Sequence, residues 1–193
     1  MKKKALIFDC FGVVASRVLG GWIPDNLGTK FEFDSSDIFN KIDLGQMSEN
    51  EAILEFSNLV NRPPQVVRKE IDAYFRPNLE LVDCIKKLKS KKYKIILLTN
   101  SSHSFFERFV FIEHPWFREL FDDIIISSQI KMIKPYKDIY LYALKQNNLK
   151  PEDAVFIDDS QSNVIGAQNV GIGSILFKDV AQLKKDLLKY QIG

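Results

Sequence analysis

Five short runs of consecutive apolar residues punctuate the chain: Ala5–Phe8, Lys94–Leu98, Ile124–Ile126, Ala154–Ile157 and Ile172–Phe177. They are rich in Ile, Val and Phe at successive positions, the pattern of strands covered on both faces. Between the later runs the apolar period changes. Leu81, Val82, Ile85 and Leu88 share one face of a helix over 79–88, and 139–144 and 164–170 show similar spacing. Strands alternating with helices predict an α/β fold whose parallel sheet is wound by right-handed crossovers.

The interval between the first two strands is too long for one crossover. Within it, 37–44, 49–60 and 65–75 have helical patterns. Ser48 followed by Glu51 reads as a capping box, and Pro63-Pro64 as a helix start. Two arrangements fit: a helical excursion of the same domain, or a small helical cap inserted after strand 1. Entry just after Gly12, at the carboxyl end of that strand, favours the cap. It then spans 16–76, with 1–15 and 77–193 forming the core.

Composition changes this picture little. The 193 residues are 46% hydrophobic and 27% charged, which suits one domain with its own core. A net charge of +2 gives no case for nucleic acid or a membrane as partner. Lys2-Lys3-Lys4 is not read as a secretion signal, because Asp9 interrupts the short apolar stretch behind it. Nothing approaches the roughly 20 apolar residues of a membrane span. Cys10 and Cys84 form neither a metal-ligand spacing nor a disulfide framework, so a reducing cytoplasm is expected.

The chemistry-bearing residues gather where parallel sheets bind ligands, beyond the carboxyl ends of the strands. Strand 1 ends in Asp9, strand 2 in Thr99-Asn100-Ser101 and strand 4 in Asp158-Asp159-Ser160. Lys134-Pro135 follows strand 3. Asp9 can attack an electrophilic phosphorus or carbon. Thr99 and neighbouring amides can hold phosphoryl oxygens, and Lys134 can neutralise both phosphate and nucleophile. Asp159, with Asp158 beside it, offers hard oxygen ligands to Mg²⁺.

Taken in order, Phe8-Asp9-x-x-Gly12-Val13, Leu98-Thr99-Asn100, Ile133-Lys134-Pro135 and Ile157-Asp158-Asp159-Ser160-x-x-Asn163-x-x-Gly166-Ala167 resemble the haloacid dehalogenase superfamily of hydrolases. The likeness is strongest to the capped subfamily that includes sugar-phosphate phosphatases and the N-terminal phosphatase domain of soluble epoxide hydrolase. The resemblance implies a Rossmann-like core with a helical cap, and hydrolysis of a small phosphorylated metabolite through an aspartyl intermediate on Asp9. It implies that Thr99, Asn100 and Lys134 bind the transferring group. It also implies Mg²⁺ held by Asp9, the Phe11 carbonyl, Asp159 and, through water, Asp158.

One residue departs from that pattern. Typical phosphatases of the superfamily carry a second Asp where this chain has Phe11, and a phenyl ring can neither protonate a leaving oxygen nor activate water. An aromatic residue there also resembles metal-independent 2-haloacid dehalogenases, whereas Asp158-Asp159 argues for a metal, since two acids beside Asp9 repel without a cation. A third reading is a catalytically weak protein that binds a phosphorylated metabolite or a partner protein. His103 and His114 are read as structural or solvated, and Cys10 as core. The aromatic run Phe105, Phe106, Phe109, Phe111, Trp116, Phe117 and Phe121 is read as packing. Ser16, Arg17 and Trp22 lie where a cap would meet substrate, and the sequence does not say which of them does. Nor does it give the oligomeric state.

Overall fold

The structure is a computed structural model that describes residues 3–28 and 36–192. Five parallel strands form one sheet in the order β3-β2-β1-β4-β5: β1 Ala5–Phe8, β2 Lys94–Thr99, β3 Asp123–Ile126, β4 Ala154–Asp158 and β5 Gly173–Leu176. The α/β expectation holds, with strand limits moved by at most one residue at either end. The central strand is buried along its whole length and splits its side chains by the two-residue period of a strand. Leu6 and Phe8 enter one core with Ile95, Leu97, Val155 and Ile157. Ala5 and Ile7 enter the other with Ile96, Leu98, Ala154 and Phe156. Burial on both faces is why these runs are apolar throughout rather than alternating.

Among the described residues, four helices lie between β1 and the next helix of the sheet layer: α1 Leu19–Leu27, α2 Ser36–Asp43, α3 Glu49–Val60 and α4 Pro64–Asp72. The Ser48 capping box forms, with Glu51 N–H donating to Ser48 Oγ at 3.2 Å and Ser48 N–H to Glu51 Oε2 at 2.7 Å. Pro64 opens α4 as its first residue. The helix α4 stops before Phe75, which instead joins the aromatic packing below. Helix α1 has no signature in the sequence, since Gly20, Gly21 and Pro24 all oppose it. Burial of Trp22 and Ile23 offsets that cost: the Trp22 ring lies 5.6 Å from Phe56, and its Nε1 donates to Glu70 at 3.2 Å. These side chains belong to the same apolar cluster as one face of the sheet.

The aromatic run packs as expected. Over 103–113 the chain is helical with Phe106–Val110 wound as π-helix, and Phe105, Phe106, Phe117 and Phe121 are buried in the core. Helices α5 Leu79–Ser90 and α8 Val180–Lys189 cover the same face of the sheet, while α6 Lys137–Gln146 and α7 Gln161–Gln168 cover the other. No helix among the described residues is long and apolar enough to cross a membrane.

Candidate active site

The register that pairs Phe8 with Leu97 and Ile157 brings the ends of β1, β2 and β4 to one edge. Asp9 leaves β1 there and its N–H donates to Ile157 O at 2.9 Å. Lys134 reaches the same point from the loop after β3. Its buried Nζ donates to Asp9 Oδ1 at 2.6 Å and to Asp158 Oδ2 at 2.8 Å. Burial pushes the Asp9 carboxyl up to about 7, aided by the Asp158 charge and opposed by Lys134. Burial disfavours the Lys134 charge, but Asp158 and Asp9 outweigh it and hold the ammonium above its usual range. Three buried charged groups thus depend on one another.

Asp158 is saturated by protein donors. Ser160 N–H donates to Oδ1 at 2.8 Å, and Asn163 Nδ2 bridges both oxygens at 3.1 Å. Asp159 stands differently: its Oδ2 accepts from Arg17 Nε at 2.9 Å and Nη2 at 2.7 Å. Gly12 makes room for it. A Cβ on Gly12, whose φ is +87°, would come within 1.9 Å of that Oδ2, so only glycine fits.

Asp9, Asp158 and Asp159 each bring an oxygen within 4.8 Å of the others. Three carboxylates here face two cationic groups, Lys134 and Arg17. Such a set of hard oxygen donors with excess negative charge fits a divalent cation such as Mg²⁺.

Thr99 and Asn100 come to the same edge with different roles. The Thr99 hydroxyl is buried without a hydrogen-bond partner among the described residues, a state that costs free energy unless a ligand oxygen occupies the site. Asn100 spends its side chain on the backbone of Lys134. Nδ2 donates to Lys134 O at 3.0 Å, and Lys134 N–H donates to Oδ1 at 2.9 Å. The side-chain amide of Asn100 thus clamps the lysine, and the residue also lines the adjoining cavity.

Beyond these groups opens a cavity of about 500 Å³. Asp9, Arg17, Asn100, Lys134 and Asp159 line one end, and side chains of the helices between β1 and β2 line the other. Phe11 forms part of its wall. The ring packs against Phe75, Phe105 and Phe106 at 6.2–6.4 Å between centroids, so it joins the inserted segment to the aromatic core. Of the three residues flagged near the strand exit, Arg17 lines the cavity, Ser16 accepts from Arg76 N–H at 2.9 Å, and Trp22 is core. His103 pairs with Glu107 at 3.3 Å and His114 stacks on Phe75 at 5.3 Å.

The sequence reading missed Asp43. It ends α2 and lines the cavity, and burial pushes its carboxyl up to about 7 against the pull of Lys134. No hydrogen bond or ion pair holds it among the described residues. A signal existed: an acid in the last turn of a helix opposes the helix dipole. Gly45, just beyond, has φ +66°, and a Cβ there would come within 2.7 Å of Ser128 O. The turn after α2 therefore abuts the short helix Ser127–Ile130 that follows β3.

A family model described as haloacid dehalogenase-like hydrolase matches residues 3–171. The chain belongs to that family. Among curated proteins, a sesquiterpene phosphatase of Aspergillus oryzae is 25% identical over 187 residues, covering 91% of this chain and 90% of the relative. A phosphorylated carbohydrates phosphatase of Thermotoga maritima is 28% identical over 118 residues, covering 61% of this chain and 54% of the relative. Among solved structures, a family enzyme of Bacteroides thetaiotaomicron in complex with magnesium and inorganic phosphate superposes with a TM-score of 0.76 at 20% identity, covering 94% of this chain and 98% of that one. At that identity the likeness establishes the fold.

Proposed function

We propose that the chain is a Mg²⁺-dependent phosphatase of a small phosphorylated metabolite, working through an aspartyl-phosphate intermediate on Asp9. The observation that carries this reading is the buried Asp9–Lys134–Asp158 set beside Asp159 and the unpartnered Thr99 hydroxyl. Relatives with phosphatase in their names support it, and they put both apolar and sugar esters in range. Asp9, the Phe11 carbonyl and Asp159 would hold the metal, with Asp158 reached through water. Bound there, Mg²⁺ lets an anionic nucleophile approach an anionic phosphate.

Asp9 attacks phosphorus as the bond to the leaving oxygen breaks, and water then cleaves the acyl phosphate and restores Asp9. Lys134 holds the Asp9 carboxylate in place and offsets charge on the phosphoryl oxygens. Thr99 donates its hydroxyl proton to one of those oxygens. Asp43 is the carboxyl assigned to protonate the leaving oxygen, the task Phe11 cannot perform. The inserted helices, 16–76, act as a cap that closes over substrate and selects it. Two buried free thiols, Cys10 and Cys84, suit the cytoplasm as compartment.

The test is phosphate release from a panel of phosphate esters with and without Mg²⁺, beside Asp9→Asn. Metal-dependent release that vanishes in the variant is expected. Halide release from 2-haloacids without metal would instead make Phe11 the mark of a dehalogenase. Phosphate-ester binding without turnover would leave a binding protein.

A further inference from the structure

We propose that this site takes phosphate monoesters of apolar alcohols in preference to phosphosugars, with the phosphate at Asp9 and the carbon chain against the inserted helices. The proposal rests on the phosphatase reading and narrows it to a substrate class.

The first observation is size. The cavity holds about 500 Å³, which at ~30 Å³ per heavy atom admits about sixteen of them. That is room for a phosphate and a chain of about ten carbons. The second is the wall. Leu19, Phe39, Ile42, Ile53, Phe56 and Phe105 give the cavity a broad apolar lining, and the Phe11 ring, packed on Phe105 and Phe106, continues that surface beside Asp9.

The third observation is what the polar side chains of that wall are already doing. Glu49 Oε1 accepts from Arg108 Nε at 2.9 Å and Arg68 Nη1 at 3.0 Å, and its Oε2 accepts from Ser104 at 3.0 Å. Arg17 is committed to Asp159. Of the charged groups in the cavity beyond the strand ends, only Asp43 has no protein partner among the described residues. A sugar ring would therefore exchange water for apolar carbon at most of its hydroxyls. Each unpaired hydroxyl lowers affinity by roughly fivefold to a hundredfold. A methylene on the same wall gains about fourfold. Phe11 then has a positive role: where a carboxylate would stand in a phosphatase of polar esters, its ring extends the surface for the chain.

The test measures phosphate release with Mg²⁺ from n-alkyl phosphates of four to twelve carbons, from glucose 6-phosphate and from acetyl phosphate. The expected result is a kcat/KM that rises about fourfold per methylene to about ten carbons, with glucose 6-phosphate at least about a hundredfold below decyl phosphate. A flat chain-length profile, or a preference for glucose 6-phosphate, overturns the substrate class. If acetyl phosphate is still hydrolysed by the wild type and not by Asp9→Asn, the phosphatase reading survives that result. Release from none of the compounds removes both. Phe39→Ser is expected to flatten the decyl-to-butyl ratio, and an unchanged ratio in the folded variant counts against the proposal. Inhibition of the wild type by decylphosphonate and butylphosphonate repeats the comparison without a variant: equal potency contradicts it.

Discussion

The two ends of the cavity are built on opposite terms. At the strand ends, Lys134 ties Asp9 to Asp158, and Asn100, Ser160 and Asn163 hold the lysine backbone and Asp158 from behind. At the other end helices α1–α3 offer apolar side chains, and between the two ends stands the Asp43 carboxyl, within the pull of Lys134 and with no hydrogen bond or ion pair among the described residues. Pre-arranged charge in a dry pocket suits a step common to many substrates. An apolar wall discriminates by fit alone, in small increments per methylene. On the proposed phosphatase reading, chemistry and selection are separated along one cavity, with Phe11 at the join.

The largest effect should come from breaking the charged end. Lys134→Ala leaves Asp9 and Asp158 buried and unpaired, which is expected to cost about 3–5 kcal/mol of stability, read as a lowered denaturation midpoint. A midpoint within error of wild type would mean the set is not mutually dependent.

Asp43→Asn probes the join. Turnover of alkyl phosphates should fall about 10²-fold, while acetyl phosphate, whose leaving group needs no proton, should change little; equal losses on both would remove Asp43 as the acid. Stability should move the other way. The folded Asp43 carboxyl is raised to about 7 from an ordinary 3.8, so the native state binds the extra proton and its stability falls as pH climbs through that window. Without metal, the melting-temperature advantage of Asp43→Asn should therefore grow from about pH 4 to about pH 7 and then level off.

Gly12→Ala sets a methyl group against Asp159 in left-handed backbone. It should cost about 1–2 kcal/mol and weaken Mg²⁺ binding measured by calorimetry; unaltered metal affinity would take Asp159 out of the ligand set. Smallest, Ser48→Ala removes the capping box of α3 for about 1 kcal/mol. Because it touches only the inserted helices, it should alter the chain-length profile before it alters acetyl phosphate hydrolysis.

Much of the strand-end chemistry was legible because residue type and local pattern agree there. An apolar run ending in Asp is visible at Asp9, and Asp158-Asp159 follows another such run. The Ser48–Glu51 box and Pro64 are likewise local signals. Helix α1 was not legible, since Gly20, Gly21 and Pro24 argue against a helix that only the burial of Trp22 and Ile23 sustains. Asp43 and Arg17 were obscure for a related reason. Their roles depend on what stands opposite, Lys134 and Asp159, more than 90 and 140 positions away in the chain.

By itself, then, the sequence determined the parallel sheet, the edge at which Asp9, Thr99, Lys134 and Asp158 meet, and the absence of an acid at Phe11. Periodicity and strand ends are local properties, and a parallel sheet leaves its strand ends one side on which to gather. The tertiary structure decided which of those groups are spent on each other, that the Asn100 side chain clamps the Lys134 backbone, and that Phe11 closes an aromatic wall. Those outcomes turn on which side chains become neighbours after the chain has crossed the sheet, and neighbours far apart in sequence leave no periodic trace in it.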